Sequence, residues 1–329
     1  MEAALREILA SAYGLEAPVL HRLPAGDRPV FTVACGSGAF VLKLYPEEAE
    51  PLAALLRSAA GAARAAAGGV PTPEIVADHL GRTAVPGPRF RLVLCVRAPG
   101  RHHRGGGFPE PAAADLGRTI ARLQRALAGW EPAGLRPDHD WPLEPADGLR
   151  RLETLLRAAE ERADPPGRRT AAALRSRLEA LSALEGQLGG LAALPRQWVH
   201  GDCNPGNFLF EPAGRVAAVL DFDNLSRLPR GFDFMYALDQ AFREPGPPAR
   251  AALRAYIAEL RPPRAEVEAY PRLWVYCALQ NIVETTYGFR DRDGGAHEAR
   301  VAEPAPAWWL AHWPEVTDFF LRTADAREA

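Results

Sequence analysis

One short run of the sequence, WVHGDCNPGNFLF at residues 198–210, places an acid and two amides between two apolar segments. Asp202 carries a carboxylate that can accept a proton, and Asn204 and Asn207 are two of only four asparagines in the chain. The apolar flanks predict buried strands, and a polar loop held between buried strands is a common position for catalytic groups. We therefore interpret this loop as a place where chemistry is done.

A second unusual position is Lys43, in FVLKLYP, because it is the only lysine among 39 lysine and arginine residues. The abundance of Arg, Ala, Gly and Pro is typical of GC-rich coding, which replaces lysine wherever arginine can serve. A lysine that survives this bias marks a position that needs a compact ammonium group and does not accept a planar guanidinium.

A third position, Asp221, ends the apolar run VAAVLDF shortly after the polar loop. These residues supply the parts that phosphoryl transfer needs. Lys43 offers a cation to the α and β phosphates of a nucleotide. Asn207 and Asp221 offer hard oxygen ligands to Mg²⁺, and Asp202 offers a base beside the attacking hydroxyl.

The elements that must position these residues fall into two groups. Residues 29–46 predict a hairpin around Gly36-Ser37-Gly38 that carries Lys43, and two further strands lie in VPTPEIVAD and RFRLVLCVRAPG. Helical spacing predicts helices over 51–67, 112–128, 148–161 and 168–192, and mostly helix after 233. The polar loop lies between the strands of a short hairpin. We expect an α+β fold with a small lobe over 1–97 and a larger, mainly helical lobe over 98–329.

Four motifs, FVLKLYP, LVLCVRAPG, VHGDCNPGNFLF and VLDFDNLSRLPRGFDFMYAL, resemble in this order those of the aminoglycoside phosphotransferase and choline or homoserine kinase group. The resemblance implies a bilobal, protein-kinase-like fold that uses ATP (or GTP) and Mg²⁺. It also implies transfer of the γ-phosphoryl group to a hydroxyl of a small molecule.

The resemblance assigns roles to individual residues of the nucleotide and metal sites. It implies that Asp202 is the catalytic base, that Asn207 and Asp221 bind Mg²⁺, and that Lys43 binds phosphate. It further implies a hinge whose backbone, around Val96 to Ala98, hydrogen-bonds the adenine. Residues 23–33 would cover the phosphates, with Gly26 as the unhindered position.

The supporting residues implied by the resemblance are His200, which orients the loop, and Asp233, which braces it. Asn204 stands where relatives often have histidine. Asp223 either reaches a metal ion or is simply solvated. The helix over 51–67 lacks the glutamate that normally pairs with the lysine in relatives, and Glu50 is the nearest substitute.

The acceptor is held, by the same resemblance, in the helical lobe after the metal motif. Asn281, Glu284 and Tyr287 share one helix face by spacing, although an ordinary helix surface has the same pattern. Nearby acids alternate with arginines in RDRD, so this segment does not require an acceptor that carries several positive charges. We expect an antibiotic that is neutral or partly charged, with a metabolite of the homoserine, choline or sugar type as the alternative.

Composition restricts the remaining possibilities. The net charge of −2 gives no electrostatic footprint for nucleic acid. No apolar run approaches the ~18 residues of a membrane span, and the four cysteines lack metal or disulfide spacing. A cytoplasmic protein with no membrane partner is expected. Two other functions remain open: a two-metal phosphoesterase, and a nucleotide-binding module of the kinase fold that has no catalytic activity.

Overall fold

The structure is a computed structural model that describes residues 1–24, 28–48, 51–103, 108–137, 142–162, 164–242, 246–280 and 306–326. The chain forms two compact units. One comprises Met1–His139, Gln197–Arg227 and Ala237–Leu260, and the other comprises Asp140–Arg196, Leu228–Tyr236 and Arg261–Ala329. The division at residue 97 expected from the sequence is a different partition and stays a prediction.

An antiparallel sheet dominates the first part of the chain. Its strands are β1 (Val19–Arg22), β2 (Val30–Cys35), β3 (Gly38–Pro46), β4 (Ile75–Val76), β5 (Val85–Gly87) and β6 (Phe90–Val96). They follow the order β1-β2-β3-β6-β4, and β5 pairs with β6. The predicted hairpin is β2–β3, in which Val30 pairs with Lys43. The sequence pattern missed β1 and β5, which are four and three residues long. Within the segment 23–33, predicted to cover the phosphates, the residues from Val30 onward belong to β2.

The helices are α1 (Glu2–Tyr13), α2 (Leu52–Ala67), α3 (Glu110–Leu127), α4 (Pro145–Glu160), α5 (Pro165–Leu184), α6 (Gly231–Ala241), α7 (Pro247–Leu260), α8 (Arg264–Gln280) and α9 (Ala307–Asp325). The helix predicted over 168–192 ends instead at Leu184. Glycines at 186, 189 and 190 weaken helix propensity there, and two short 3₁₀ turns follow. The expected α+β class, with a small antiparallel sheet and a larger helical part, is confirmed. Among the described residues, no helix has both the length and the apolar character to cross a membrane.

Strand β3 presents two different faces, because successive side chains of a strand point to opposite sides of the sheet. Leu42 and Leu44 are buried in a core together with apolar residues of α1. Lys43 and Tyr45 therefore point to the other face, where Tyr45 packs with Leu55 of α2. The alternation places the lysine on the side of the sheet that faces α2.

The polar loop at 200–207 lies between strands, as predicted. Strand β7 (Arg196–Val199) precedes it, and β8 (Phe208–Phe210) pairs with β9 (Val216–Val219) after it. The Leu220 N–H donates to the Asn207 carbonyl at 2.8 Å, which extends this hairpin beyond its strands. The end of the loop and the residues after β9 are thereby joined. A further strand that the pattern missed, β10 (Ser226–Pro229), pairs with β7.

Candidate active site

His200 fixes the start of the polar loop. Its side chain is fully buried, its Nε2 lies 2.9 Å from the Leu220 carbonyl, and its Nδ1 accepts the Asp202 N–H at 3.3 Å. Because a carbonyl only accepts, the proton of the neutral ring lies on Nε2. The imidazole is thus occupied on both nitrogens, an arrangement suited to orienting the loop.

The Asp202 carboxylate receives side-chain amides from three asparagines. Asn204 donates to Oδ1 at 2.6 Å, and Asn207 donates to Oδ2 at 3.0 Å and to the Asp202 carbonyl at 2.9 Å. Asn224 donates to Oδ2 at 3.4 Å. These donors hold the carboxylate in one orientation, as a base that must meet a hydroxyl requires.

Gly201 lies close against the backbone of the residues after β9. Its φ is 82°, in the left-handed region that favours glycine. A Cβ at this position would lie 2.0 Å from the Asn224 carbonyl oxygen. Only glycine fits both the backbone conformation and the contact.

Lys43 meets the two acids of the D-x-D motif. Its Nζ lies 2.8 Å from Asp221 Oδ1 and 3.8 Å from Asp223 Oδ2. Asp221 has a φ of 63°, an uncommon conformation for a residue with a side chain, of the kind that is found at functional sites. The acidic partner that the sequence left open is therefore supplied from the loop after β9. Glu50, the substitute considered from the sequence, lies outside the described residues.

The charges of this group are interdependent. Burial lowers the pKa of the Lys43 ammonium, but the Asp223 and Asp221 carboxylates outweigh burial and raise it. Although burial opposes ionisation of Asp223, Lys43 and Arg28 lower its pKa. Burial and the neighbouring Asp223 charge raise the pKa of Asp221. Lys43 and Asp223 thus stabilise each other's charged forms, whereas Asp221 has the less favourable environment for its charge.

Asp223 is buried, with 8% of its side chain exposed, so the alternative of a solvated residue does not describe it. Its Oδ2 accepts from Arg28 at 2.5 Å and from the Tyr45 hydroxyl at 3.0 Å, and its Oδ1 accepts from the Ser58 hydroxyl at 2.8 Å. Arg28 also lies over the Tyr45 ring, 4.7 Å from its centroid. Both oxygens of this carboxylate are thus occupied by protein donors.

A cavity of about 630 Å³ opens beside Lys43 and Asp221. Its apolar wall includes Val30, Ile75, Leu209 and Val219, and its far end reaches the chain segment after β6. The volume is within the range of pockets that hold drug-sized ligands.

The segment after β6 presents backbone groups to this cavity, which Val96 and Ala98 both line. The Val96 N–H donates to the Glu74 carbonyl, and the Arg97 N–H donates to the Ala39 carbonyl. The Ala98 N–H has no hydrogen-bond partner within the part of the chain that the structure describes. A backbone carbonyl and, two residues later, a backbone N–H are the acceptor and donor that an adenine edge needs.

Asn207 and Asp221 carry oxygens suited to a divalent cation. Because the Asn207 amide nitrogen faces two acceptors of Asp202, its Oδ1 must point away, and Asn207 and Asp221 line the same cavity. An amide oxygen and a carboxylate are hard ligands of the type that Mg²⁺ prefers. The donor set therefore fits the predicted metal. Within the described ranges, no group of three or more His, Cys, Asp or Glu residues forms a metal cluster.

The remaining predicted residues stay predictions. Asp233 is fully buried in the first turn of α6, and its bracing role stays a prediction. The other predictions lie outside the described residues: Gly26 for the phosphate-covering loop, and Asn281, Glu284 and Tyr287 for the acceptor.

Four residues of the site were missed from the sequence: Arg28, Tyr45, Ser58 and Asn224. A signal existed for Asn224, because asparagine is so scarce in this chain. All three asparagines in the described part of the chain donate to Asp202. No comparable signal marks Arg28, Tyr45 or Ser58, because arginine, tyrosine and serine also occur at many positions of the chain that have only a structural role.

A polar loop followed by a D-x-D turn, beside a lysine on a small antiparallel sheet, is typical of a phosphotransferase of the kinase-like class. The chain matches the model of the phosphotransferase enzyme family, APH, over residues 20–270, and it belongs to that family. It is therefore an enzyme that transfers phosphoryl groups, which removes the phosphoesterase and non-catalytic alternatives. No curated protein sequence is significantly similar to it.

Solved structures share the fold over nearly the whole chain. An amicoumacin kinase in complex with AMP-PNP, Ca²⁺ and Ami has a TM-score of 0.69 at 16% identity, covering 96% of this chain and 94% of its own. A microcompartment-associated aminopropanol kinase has a TM-score of 0.63 at 15% identity, with 98% of both chains covered. A choline/ethanolamine kinase family protein from Mesorhizobium loti has a TM-score of 0.61 at 16% identity, again with 98% of both covered. At these identities the likeness establishes the kinase-like fold.

Proposed function

We propose that this phosphotransferase moves the γ-phosphoryl group of ATP (or GTP) to a hydroxyl of a small molecule, with Asp202 as the base. The observation that carries the proposal is the fixed Asp202 carboxylate. Asn207 links that base to the cavity, since its nitrogen contacts Asp202 while its oxygen is available beside Asp221. The group of residues can therefore orient an acceptor hydroxyl and bind the phosphates at adjacent positions.

The nucleotide would bind in the cavity with its base at Val96 and Ala98 and its phosphates at Lys43. The Lys43 ammonium keeps its charge and can stabilise the nonbridging phosphate oxygens. Asn207 and Asp221 would hold Mg²⁺, which when bound neutralises charge that develops on the transferring group. Asp202 accepts the proton of the acceptor hydroxyl, and its amide partners keep the carboxylate aligned with that hydroxyl.

We infer that the acceptor is an antibiotic, with a metabolite as the second candidate. The acid and arginine mixture in the segment after α8 favours an acceptor that is neutral or only partly charged. Structural relatives carry names of both classes, amicoumacin on one side and aminopropanol, choline and ethanolamine on the other. The four free thiols suit the reducing cytoplasm, where we place the protein.

The proposal is tested by measuring ADP release from Mg-ATP against a panel of acceptors from both classes. We expect one class to give turnover that Asp202→Ala abolishes, while the affinity for AMP-PNP, measured by calorimetry, stays within about threefold, because Asp202 acts on the acceptor. Asp318→Ala, which removes an exposed acid from α9, is the matched control and should keep full activity. Near-normal turnover by the Asp202 variant would refute the mechanism.

A further inference from the structure

Lys43 differs from the lysine of related kinases in the origin of its acidic partner. Helix α2 reads LAALLRSAAGAARAAA and contains no acid. Its side chains nevertheless reach the group around Lys43, through Ser58 and the neighbouring Arg57. The helix therefore contacts the lysine indirectly, through hydrogen bonds to another residue, and not through a direct ion pair.

That residue is Asp223. The Ser58 hydroxyl donates to one carboxylate oxygen of Asp223 at 2.8 Å, and the other oxygen lies 3.8 Å from Lys43 Nζ. The Arg57 guanidinium, through Nη2, donates to the Asp223 backbone carbonyl at 3.2 Å. One residue of the D-x-D motif is thus held by α2 through both its side chain and its main chain.

Helix α2 is packed closely enough against this turn to act as a rigid support. A Cβ at Gly61 would lie 2.1 Å from Leu225 Cδ1, so the absence of a side chain allows the close approach. Leu225 is fully buried directly after the turn Phe222–Asn224. The contact leaves little room for Asp223 to move away from the helix.

The two acids of the motif have different environments. Asp221 retains 38% of its side-chain exposure and lines the cavity with the Asn207 oxygen, whereas Asp223 retains 8% and has protein donors on both oxygens. The Asp223 carboxylate already accepts from Arg28, Tyr45 and Ser58, so it has fewer unshared lone pairs to offer a cation than the more exposed Asp221. An Asp221 engaged with a metal would leave Asp223 as the acid that still faces Lys43.

We propose that Asp223 is a positioning residue and the anionic partner of Lys43, held in place by Ser58 of α2, while Asp221 and Asn207 form the metal site. In this arrangement a carboxylate on the turn and a hydroxyl on the helix together replace the glutamate that relatives have on that helix. The inference rests on the proposed function, because it assumes that Lys43 binds nucleotide phosphates.

Metal affinity separates this role from that of a ligand. Mn²⁺ binding in the presence of AMP-PNP is followed by electron paramagnetic resonance for Asp223→Asn and Asp221→Asn. We expect Asp221→Asn to weaken Mn²⁺ binding by more than about tenfold, as the loss of a direct ligand should, and Asp223→Asn to weaken it far less, because its carboxylate would not contact the metal. Equal weakening in both variants would show that Asp223 is a ligand and would overturn the proposal.

Nucleotide affinity tests the positioning of Lys43. AMP-PNP binding at saturating Mg²⁺, when Asp221 would be engaged with the metal, should weaken about tenfold in Asp223→Asn, because the lysine then loses its remaining acidic partner. The double variant Ser58→Glu/Asp223→Asn returns a carboxylate to the group from α2 and should recover affinity to within about threefold of the original protein. If the double variant binds no better than Asp223→Asn, the proposed replacement of the helix glutamate is wrong.

A milder pair guards against misfolding of the Asp223 variant. Ser58→Ala removes the donor to Asp223 and should weaken AMP-PNP binding about fivefold, whereas Ser58→Thr keeps the hydroxyl and should bind normally. Identical affinities for the two variants would contradict the role of Ser58. Failure of the unmodified protein to bind AMP-PNP would instead refute the proposed function, so the two failures are distinguishable.

Discussion

Asn224 donates its side-chain amide to Asp202 Oδ2 at 3.4 Å, across 22 positions of sequence. The contact joins the loop that carries the proposed base to the turn that carries the proposed metal ligand Asp221. The turn residues 221, 223 and 224 therefore contact two different partners: Asp221 and Asp223 contact Lys43, and Asn224 contacts Asp202. A single short turn therefore contacts both the lysine and the proposed base.

Asn224→Ala should lower kcat about tenfold, with little change in the KM for ATP, because it removes one donor from the base and none from the nucleotide cavity. Steady-state kinetics with the identified acceptor check this. Ser226→Ala is the control, since it removes a nearby buried hydroxyl that does not contact Asp202. A kcat unchanged by Asn224→Ala would mean that Asn204 and Asn207 suffice to hold the carboxylate.

Gly201→Ala should reduce both activity and stability. The substitution forces a side chain into a left-handed backbone and against the Asn224 carbonyl, at a cost on the order of 1–3 kcal/mol for the backbone alone. Thermal unfolding should show a fall in Tm of several degrees. Gly186→Ala is the matched control, because a Cβ there meets no atom within 4 Å and the φ is not positive. Equal Tm values for the two variants would exclude a constrained contact at Gly201.

The hinge is best tested by changing the nucleotide, which leaves the fold untouched. If the Ala98 N–H donates to N1 of adenine, 1-deaza-ATP should bind about tenfold more weakly than ATP, since it lacks that acceptor. The analogue 7-deaza-ATP keeps N1 and should bind like ATP. Calorimetry measures both affinities, and similar values for the two analogues would place the base elsewhere.

Asn204→His should remain active, because a neutral imidazole can reproduce both contacts of the asparagine. Asn204 donates to Asp202 Oδ1 and accepts the Gly206 N–H, and a neutral histidine has one donor and one acceptor. Asn204→Leu, which can do neither, should lose about tenfold in kcat. As the pH falls below roughly 6.5, a protonated imidazole loses its acceptor, so the histidine variant should lose activity relative to the unmodified protein. A pH–rate profile that matches the unmodified protein at low pH would contradict this reasoning.

The parts of the site that the sequence could predict are those carried by contiguous motifs. Lys43 was identified by its isolation among arginines, and Asp202, Asn207 and Asp221 by their spacing around two strands. The hairpin that carries Lys43 could also be predicted from the sequence, because two β-rich runs flank a glycine-rich turn. Local pattern and local structure coincide in these segments.

The contacts that the sequence could not predict depend on the approach of distant segments. Ser58 lies 165 positions from Asp223, and Arg28 lies 195 positions from it. Their residue types are common on protein surfaces, so nothing in the local sequence marks them as partners of a buried acid. The family resemblance pointed to α2 for the partner of Lys43, because relatives normally have a glutamate on that helix. The acids that contact Lys43, Asp221 and Asp223, lie instead in the turn after β9, about 180 positions further along the chain.

Lys43 carries the only side-chain ammonium of this sequence, and it lines the cavity. An amine-reactive nucleotide analogue, such as an acyl phosphate of ATP, would therefore meet one side-chain target, apart from the amino terminus of the chain. A single labelled peptide in a mass spectrum would then report occupancy of the pocket directly. Occupancy of the nucleotide pocket could therefore be measured on the unmodified protein, without an engineered tag and before the acceptor is identified.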